Sequence, residues 1–170
     1  MKRKDFLKTS LITGTGLLVS NHYLAAAIKG KEWTKLTILH TNDMHSNIDP
    51  FPSNHPKYPG LGGFEKRAAL INSIKSKEQN ILLLDAGDVF QGSPYFNFYG
   101  GELEFKGMSI MGYDAVTIGN HDFDNGIDGL NRMMPHASFK FINSNYDLSG
   151  TVIHNKIVAH QVFEKGGIKI

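Results

Sequence analysis

Apolar positions along this chain fall into short runs divided by glycine- and proline-rich stretches, and their periodicity changes from run to run. Leu36-Thr37-Ile38-Leu39-His40 is rich in β-branched residues and predicts a first strand. Phe64, Ala68, Leu70, Ile71 and Ile74 keep a helical period with Glu65, Lys66, Arg67 and Lys75 on the other face, predicting a helix from about Gly63 to Lys77. Ile81-Leu82-Leu83-Leu84 and Ala115-Val116-Thr117-Ile118 are unbroken apolar runs of the kind buried on both faces of a parallel sheet. Leu103 to Met111 predicts a helix ended by Gly112, and Ile127 to Met134 a short helix closed by Pro135. Phe139 to Ile142 predicts a fourth strand. Lys156 to Phe163 and Gly167 to Ile170 predict a hairpin turning at Lys165-Gly166-Gly167.

Alternation of strand and helix argues an α/β layered fold with a largely parallel inner sheet. Between the first strand and first helix, Thr41 to Gly62 contains Pro50, Pro52, Pro56, Pro59 and Gly60, so it is expected to be a long irregular loop. Loops of that length in a compact domain usually carry function. The closing run Gly167-Ile168-Lys169-Ile170 has a strand pattern without a cap or polar tail, which is how a truncated domain would end.

The first 27 residues differ from the rest. Lys2-Arg3-Lys4 is basic, Leu11 to Ser20 is moderately apolar, and Ala25-Ala26-Ala27 offers a small-x-small cleavage pattern. Residues 1–27 are therefore expected to be an export signal resembling the twin-arginine type, with Lys4 where a second arginine usually stands. The apolar stretch is too short and interrupted for a stable membrane span. Residues 28–170 are expected to form the N-terminal part of one domain, in the periplasm or otherwise exported. The formal net charge of +2 over 170 residues gives no electrostatic case for nucleic acid. With no cysteine, any metal site must use oxygen and nitrogen donors.

Such donors follow three of the predicted strands. His40-Thr41-Asn42-Asp43-Met44-His45 follows the first, Gly87-Asp88-Val89-Phe90-Gln91-Gly92 the second, and Gly119-Asn120-His121-Asp122 the third. Ligands of open α/β sheets bind at the carboxyl ends of the strands, so Asp43, His45, Asp88, Asn120 and His121 are expected at one edge. Asp43 and His45 are two apart, so an extended segment would turn both side chains the same way. Asp88 could bridge two ions roughly 3.5–4 Å apart, the spacing used by two-metal hydrolases. Carboxylate, amide and imidazole donors suit two divalent ions drawn from Zn, Mn, Fe, Co or Mg. Such ions would activate a water toward phosphorus, while His121, oriented by Asp124 three residues on, would neutralise charge or protonate the leaving oxygen. Plainer roles also exist: loop capping for Asp43 and His45, a turn cap for Asn120, a helix N-cap for Asp124, and backbone bonding for Asp114.

These segments, with Met111-Gly112-Tyr113-Asp114-Ala115-Val116-Thr117-Ile118 leading into Gly119-Asn120-His121-Asp122-Phe123-Asp124, resemble the N-terminal metallophosphoesterase domain of the bacterial 5′-nucleotidase family. The resemblance runs from Leu36 to Ile170 and implies a layered sandwich of mixed sheets flanked by helices. It further implies Asp43, His45 and a bridging Asp88 on one metal, Asp88 and Asn120 on the other, and a catalytic dyad of His121 and Asp124. The substrate it implies is a nucleoside 5′-monophosphate or related nucleotide ester. Asp122 stands where the family often has Glu, at a position that is not a ligand. The family's later Gly-His and Gly-His-x-His motifs do not occur here, and His136, His154 and His160 lack the preceding glycine. The chain thus reads as an incomplete N-terminal portion, lacking the second half of its domain and a substrate-recognition domain. A phosphodiesterase or nucleotide-sugar hydrolase on the same scaffold, or a non-catalytic truncated product, are the rival readings.

Overall fold

A computed structural model describes residues 33–170, so the expected export segment lies outside the described residues. Strand β1 (Thr37–Thr41) leads through an irregular 22-residue stretch to helix α1 (Phe64–Lys75), and β2 (Ile81–Asp85) follows. Helices α2 (Pro94–Tyr99) and α3 (Glu102–Met111) precede β3 (Ala115–Thr117). A 3₁₀ turn (His121–Phe123), α4 (Gly126–Met133) and a second 3₁₀ turn (Met134–His136) lead into β4 (Lys140–Ile142). A third 3₁₀ turn (His154–Lys156) then runs into β5 (Ile157–Val158), and the short strands β6 (Glu164–Lys165) and β7 (Ile168–Lys169) close the chain.

The α/β architecture expected from the pattern is present: five strands form one sheet in the order β1-β2-β3-β4-β5, every neighbouring pair parallel. Parallel strands in sequential order, joined by right-handed connections, place every intervening helix on the same face. The core agrees. Leu39, Leu83, Val116, Phe141 and Ile157, which the register sets on one face, pack with Ile71 of α1, Phe105 and Met108 of α3, and Leu130 of α4. The opposite face carries Ile38, Leu82, Leu84, Ala115, Ile142 and Val158. Ile38, on the outer strand, is 54% exposed.

One expectation needs correction. The hairpin does not begin at Lys156: Ile157 and Val158 pair with Phe141 and Ile142 as a fifth parallel strand, and only Phe163 to Ile170 forms the hairpin. Apolar residues on both sides of a glycine turn satisfied the hairpin pattern, but the sheet edge beside β4 was the stronger partner for the first run. The hairpin is tied instead to the start of the central strand β3, through an ion pair of 2.8 Å between Lys165 and Asp114. Helix α2 is an addition, since no element was expected between Gly92 and Leu103: Ser93-Pro94 starts a helix that buries Phe96 against Phe90 with ring centroids 5.5 Å apart. Asp114 bonds backbone as expected, accepting from Leu83 N–H at 2.8 Å.

Phe105 lies at the centre of the aromatic core, 4.6 Å from Phe90, 5.5 Å from Phe139 and 5.3 Å from Phe141 between ring centroids. Phe105→Ala should therefore lower the unfolding free energy by about 3–5 kcal/mol, measured by urea titration.

Candidate metal centre

Because all five sheet strands run the same way, the segments after β1, β2 and β3 leave one edge together. Pairing of β1 and β2 continues beyond the strands themselves. Ala86 N–H donates to Thr41 carbonyl at 2.8 Å, Asp43 N–H to Gly87 carbonyl at 2.9 Å, His45 N–H to Asp88 carbonyl at 3.1 Å, and Ser46 N–H to Val89 carbonyl at 2.9 Å. This ladder brings donor atoms of Asp43, His45 and Asp88 within 4.8 Å of one another.

The three residues meet for a different reason than extended spacing. Asp43, His45 and Asp88 all have left-handed backbone, with φ of 50°, 45° and 56°. The segment after β1 is a tight loop, closed by Asn47 N–H donating to Met44 carbonyl at 3.0 Å. Non-glycine residues in that region cost about 1–2 kcal/mol each, and such outliers gather at functional sites.

The segment after β3 joins through Asp88, whose Oδ1 accepts the backbone N–H of His121 at 3.0 Å. The backbones meet closely here: a methyl on Gly87, itself at φ 95°, would lie 2.5 Å from the Gly119 nitrogen, and one on Gly119 would overlap the Asp88 carboxylate. Asn120 lies between Gly119 and His121, and its side chain does not cap the following turn. His121 Nδ1 is bonded to Asp124 Oδ2 at 3.0 Å, and the rings of His121 and His45 stand edge to face, 5.2 Å apart. The Asp124 bond, helped by the charges of Asp124, Asp88 and Asp122, holds the His121 pKa above its ordinary value. Asp124 therefore faces the histidine, while Asn125 occupies the N-cap position of α4.

Three carboxylate or imidazole donors within reach of one another, with an amide oxygen on the adjoining loop, fit a hard or borderline divalent cation. Among the described residues, His136, His154 and His160 take no part in this donor group. Gln91, also left-handed at φ 66°, lines a cavity of about 290 Å³ beside the loop, with Ser93, Pro94 and Asn97.

Two acids to which sequence reasoning gave no role support the site. Asp122 is 3% exposed and accepts four backbone N–H groups, from Asp88 (3.1 Å), Val89 (2.9 Å), Phe90 (3.0 Å) and Gly119 (2.8 Å). Burial raises its pKa, and the N–H donors oppose that rise. Asp85, the last residue of β2, accepts from the Thr41 hydroxyl at 2.5 Å and from Gly87 N–H at 2.9 Å, and Thr41 in turn bonds the Tyr113 hydroxyl at 2.7 Å. Its signal was an acid ending an otherwise apolar buried run.

Comparison with known proteins agrees with the geometry. The sequence model of calcineurin-like phosphoesterases matches residues 36–169. A venom 5′-nucleotidase from Gloydius brevicauda is 35% identical over 91% of this chain and 28% of the relative, and a 5′-nucleotidase from Vibrio vulnificus (strain CMCP6) is 33% identical over 100% of this chain and 31% of the relative. Among solved structures, a 5′-nucleotidase precursor from Thermus thermophilus superposes with a TM-score of 0.73 at 35% identity, over 79% of this chain and 27% of that one. An NAD nucleotidase from Haemophilus influenzae superposes with a TM-score of 0.69 at 31% identity, over 79% and 25%. The chain thus spans less than a third of the length of these relatives.

Burial pushes the Asp85 pKa up to about 6, against the opposing bonds from Thr41 and Gly87. A carboxyl with a raised folded pKa binds its proton more tightly in the fold, so it costs stability as pH climbs from about 4 to about 6, and nothing further above that. Asp85→Asn keeps the shape without the charge. Its stability relative to the parent should improve across that window by up to about 3 kcal/mol, read by urea unfolding at pH 4 and pH 7 in EDTA.

Proposed function

We propose, since the chain belongs to the calcineurin-like phosphoesterase family, that it supplies the N-terminal share of a two-metal centre hydrolysing phosphate esters, most directly nucleoside 5′-monophosphates. The observation that carries this is the convergence of Asp43, His45 and Asp88 beside the His121–Asp124 pair. In this reading Asp43 and His45 hold one ion, Asp88 serves both, and Asn120 holds the other. Divalent cations there would lower the pKa of a water and offset the charge on the phosphoryl oxygens.

The chain's own residues do the rest. Asp124 fixes the imidazole of His121 through Nδ1, leaving Nε2 as the nitrogen that can hold a proton toward a phosphoryl or leaving oxygen. The raised pKa of His121 shifts its balance toward the protonated ring, the form an acid needs. The 5′-nucleotidase relatives support the nucleotide substrate, and the further metal ligands and the nucleoside pocket are assigned to sequence beyond this chain. Export of the protein, to the periplasm or cell surface, completes the reading. Among the described residues no helix is long and apolar enough to cross a membrane.

A second substrate class, nucleotides joined through a pyrophosphate or to a sugar, is favoured by the likeness to an NAD nucleotidase. A panel of AMP, NAD and nucleotide-sugars, run on the protein with its domain completed, separates the two.

The residue roles are tested by two variants. Asp88→Ala should abolish Mn²⁺ binding in calorimetric titration. His121→Ala in the completed domain should retain Mn²⁺ and lower kcat by about 10²–10⁴. Loss of metal, with the rate restored by excess Mn²⁺, would place His121 among the ligands instead. The 170-residue chain by itself should turn over p-nitrophenyl phosphate at close to background.

A further inference from the structure

The loop after β2 turns three consecutive backbone N–H groups, those of Asp88, Val89 and Phe90, toward a common point. Successive N–H groups arranged this way form an anion-binding concavity. Here the anion is internal. Asp122 fills it with Oδ1 accepting from Val89 and Phe90 and Oδ2 from Asp88, and Oδ2 also accepts from Gly119 on the loop after β3. One carboxylate thereby joins the two loops that carry Asp88 on one side and Asn120 and His121 on the other. Asp88 is held at φ 56° while its own Oδ1 is bonded by His121 N–H.

We propose that Asp122 is a positioning residue for the metal centre: by clamping these two loops it fixes where the Asp88 carboxylate and the Asn120 amide stand relative to each other, and so sets the affinity for divalent cations. The proposal rests on the metal-centre reading above and adds to it a residue outside the ligand set. All four of its partners are donors, so an amide cannot replace it. In either orientation, the NH₂ of an asparagine would face two backbone N–H groups. A glutamate keeps both acceptor oxygens and the charge.

The test is Mn²⁺ titration of the full chain by calorimetry, with fold monitored by circular dichroism, for the parent, Asp122→Asn, Asp122→Glu and Phe141→Leu. Phe141 is a buried core residue away from the donor group, so its variant lowers stability without touching the loops. Asp122→Asn should weaken Mn²⁺ binding by about 10–100-fold while keeping the folded spectrum. Asp122→Glu should recover most of that affinity, and Phe141→Leu should bind as the parent does despite a lower Tm. Parent-like affinity in Asp122→Asn overturns the proposal, as does a glutamate variant as weak as the asparagine one. So does an asparagine variant that stays unfolded at saturating Mn²⁺, or equal weakening in Phe141→Leu, because the carboxylate would then serve folding alone. A parent chain that binds no Mn²⁺ defeats the metal-centre reading itself, and this proposal with it.

Discussion

Backbone pairing that outlasts β1 and β2 is the constraint on which the site depends. Within the strands, the register from Thr37 opposite Ile81 to Thr41 opposite Asp85 is ordinary parallel sheet. Past Thr41 the two segments should separate, yet their N–H and carbonyl groups stay matched as far as Ser46 and Val89. Keeping these bonds while both segments turn requires left-handed backbone at Asp43, His45 and Asp88. Because main-chain pairing holds the turn, the Asp43, His45 and Asp88 side chains can face one another, with Asp88 also accepting the His121 N–H. The rigidity comes from below, because β2 is buried along nearly its whole length and anchors the ladder.

That dependence explains what could be read without coordinates. Strands with continuous apolar runs, such as Ile81 to Leu84, were legible because burial acts on each residue locally, and α1 was legible from a rough period in which Ile71 is buried while Leu70 stands exposed. The convergence of three donor segments was legible too, since parallel strands must deliver their carboxyl ends to one edge. The Asp43–His45 pair comes together through left-handed turns and not through strand alternation. Alternation assumes an extended chain, and the left-handed turns come from bonds to Gly87 and Asp88, more than forty residues away. The role of Asp122 was hidden for the same reason: three of its four partners lie on the loop after β2, and the sequence marks it only as an acid that is not a ligand. β5 escaped because two residues, Ile157 and Val158, are too few to distinguish a fifth parallel strand from one arm of a hairpin.

Electrostatics at this edge sharpen the picture. Asp43, Asp85, Asp88, Asp122 and Asp124 all stand at or just beneath the carboxyl ends of β1 to β3, and their mutual repulsion has to be answered. The two most deeply placed acids are answered by hydrogen-bond donors that offset part of the cost of burial. Asp85 accepts from the Thr41 hydroxyl and from Gly87 N–H, yet burial outweighs both bonds and its pKa rises to about 6. At Asp122 burial likewise raises the pKa, and backbone N–H groups, which cannot reverse direction, oppose that rise. A charge on Asp122 would add negative potential beneath Asp88, which would favour a cation at the exposed side of the same loop. The fold thus ends β2 on a buried acid with one hydroxyl and one main-chain donor, and begins the donor loops on an acid cradled by four main-chain amides. Only the second arrangement spans both donor loops, which is why a carboxylate there bears on where Asp88 stands.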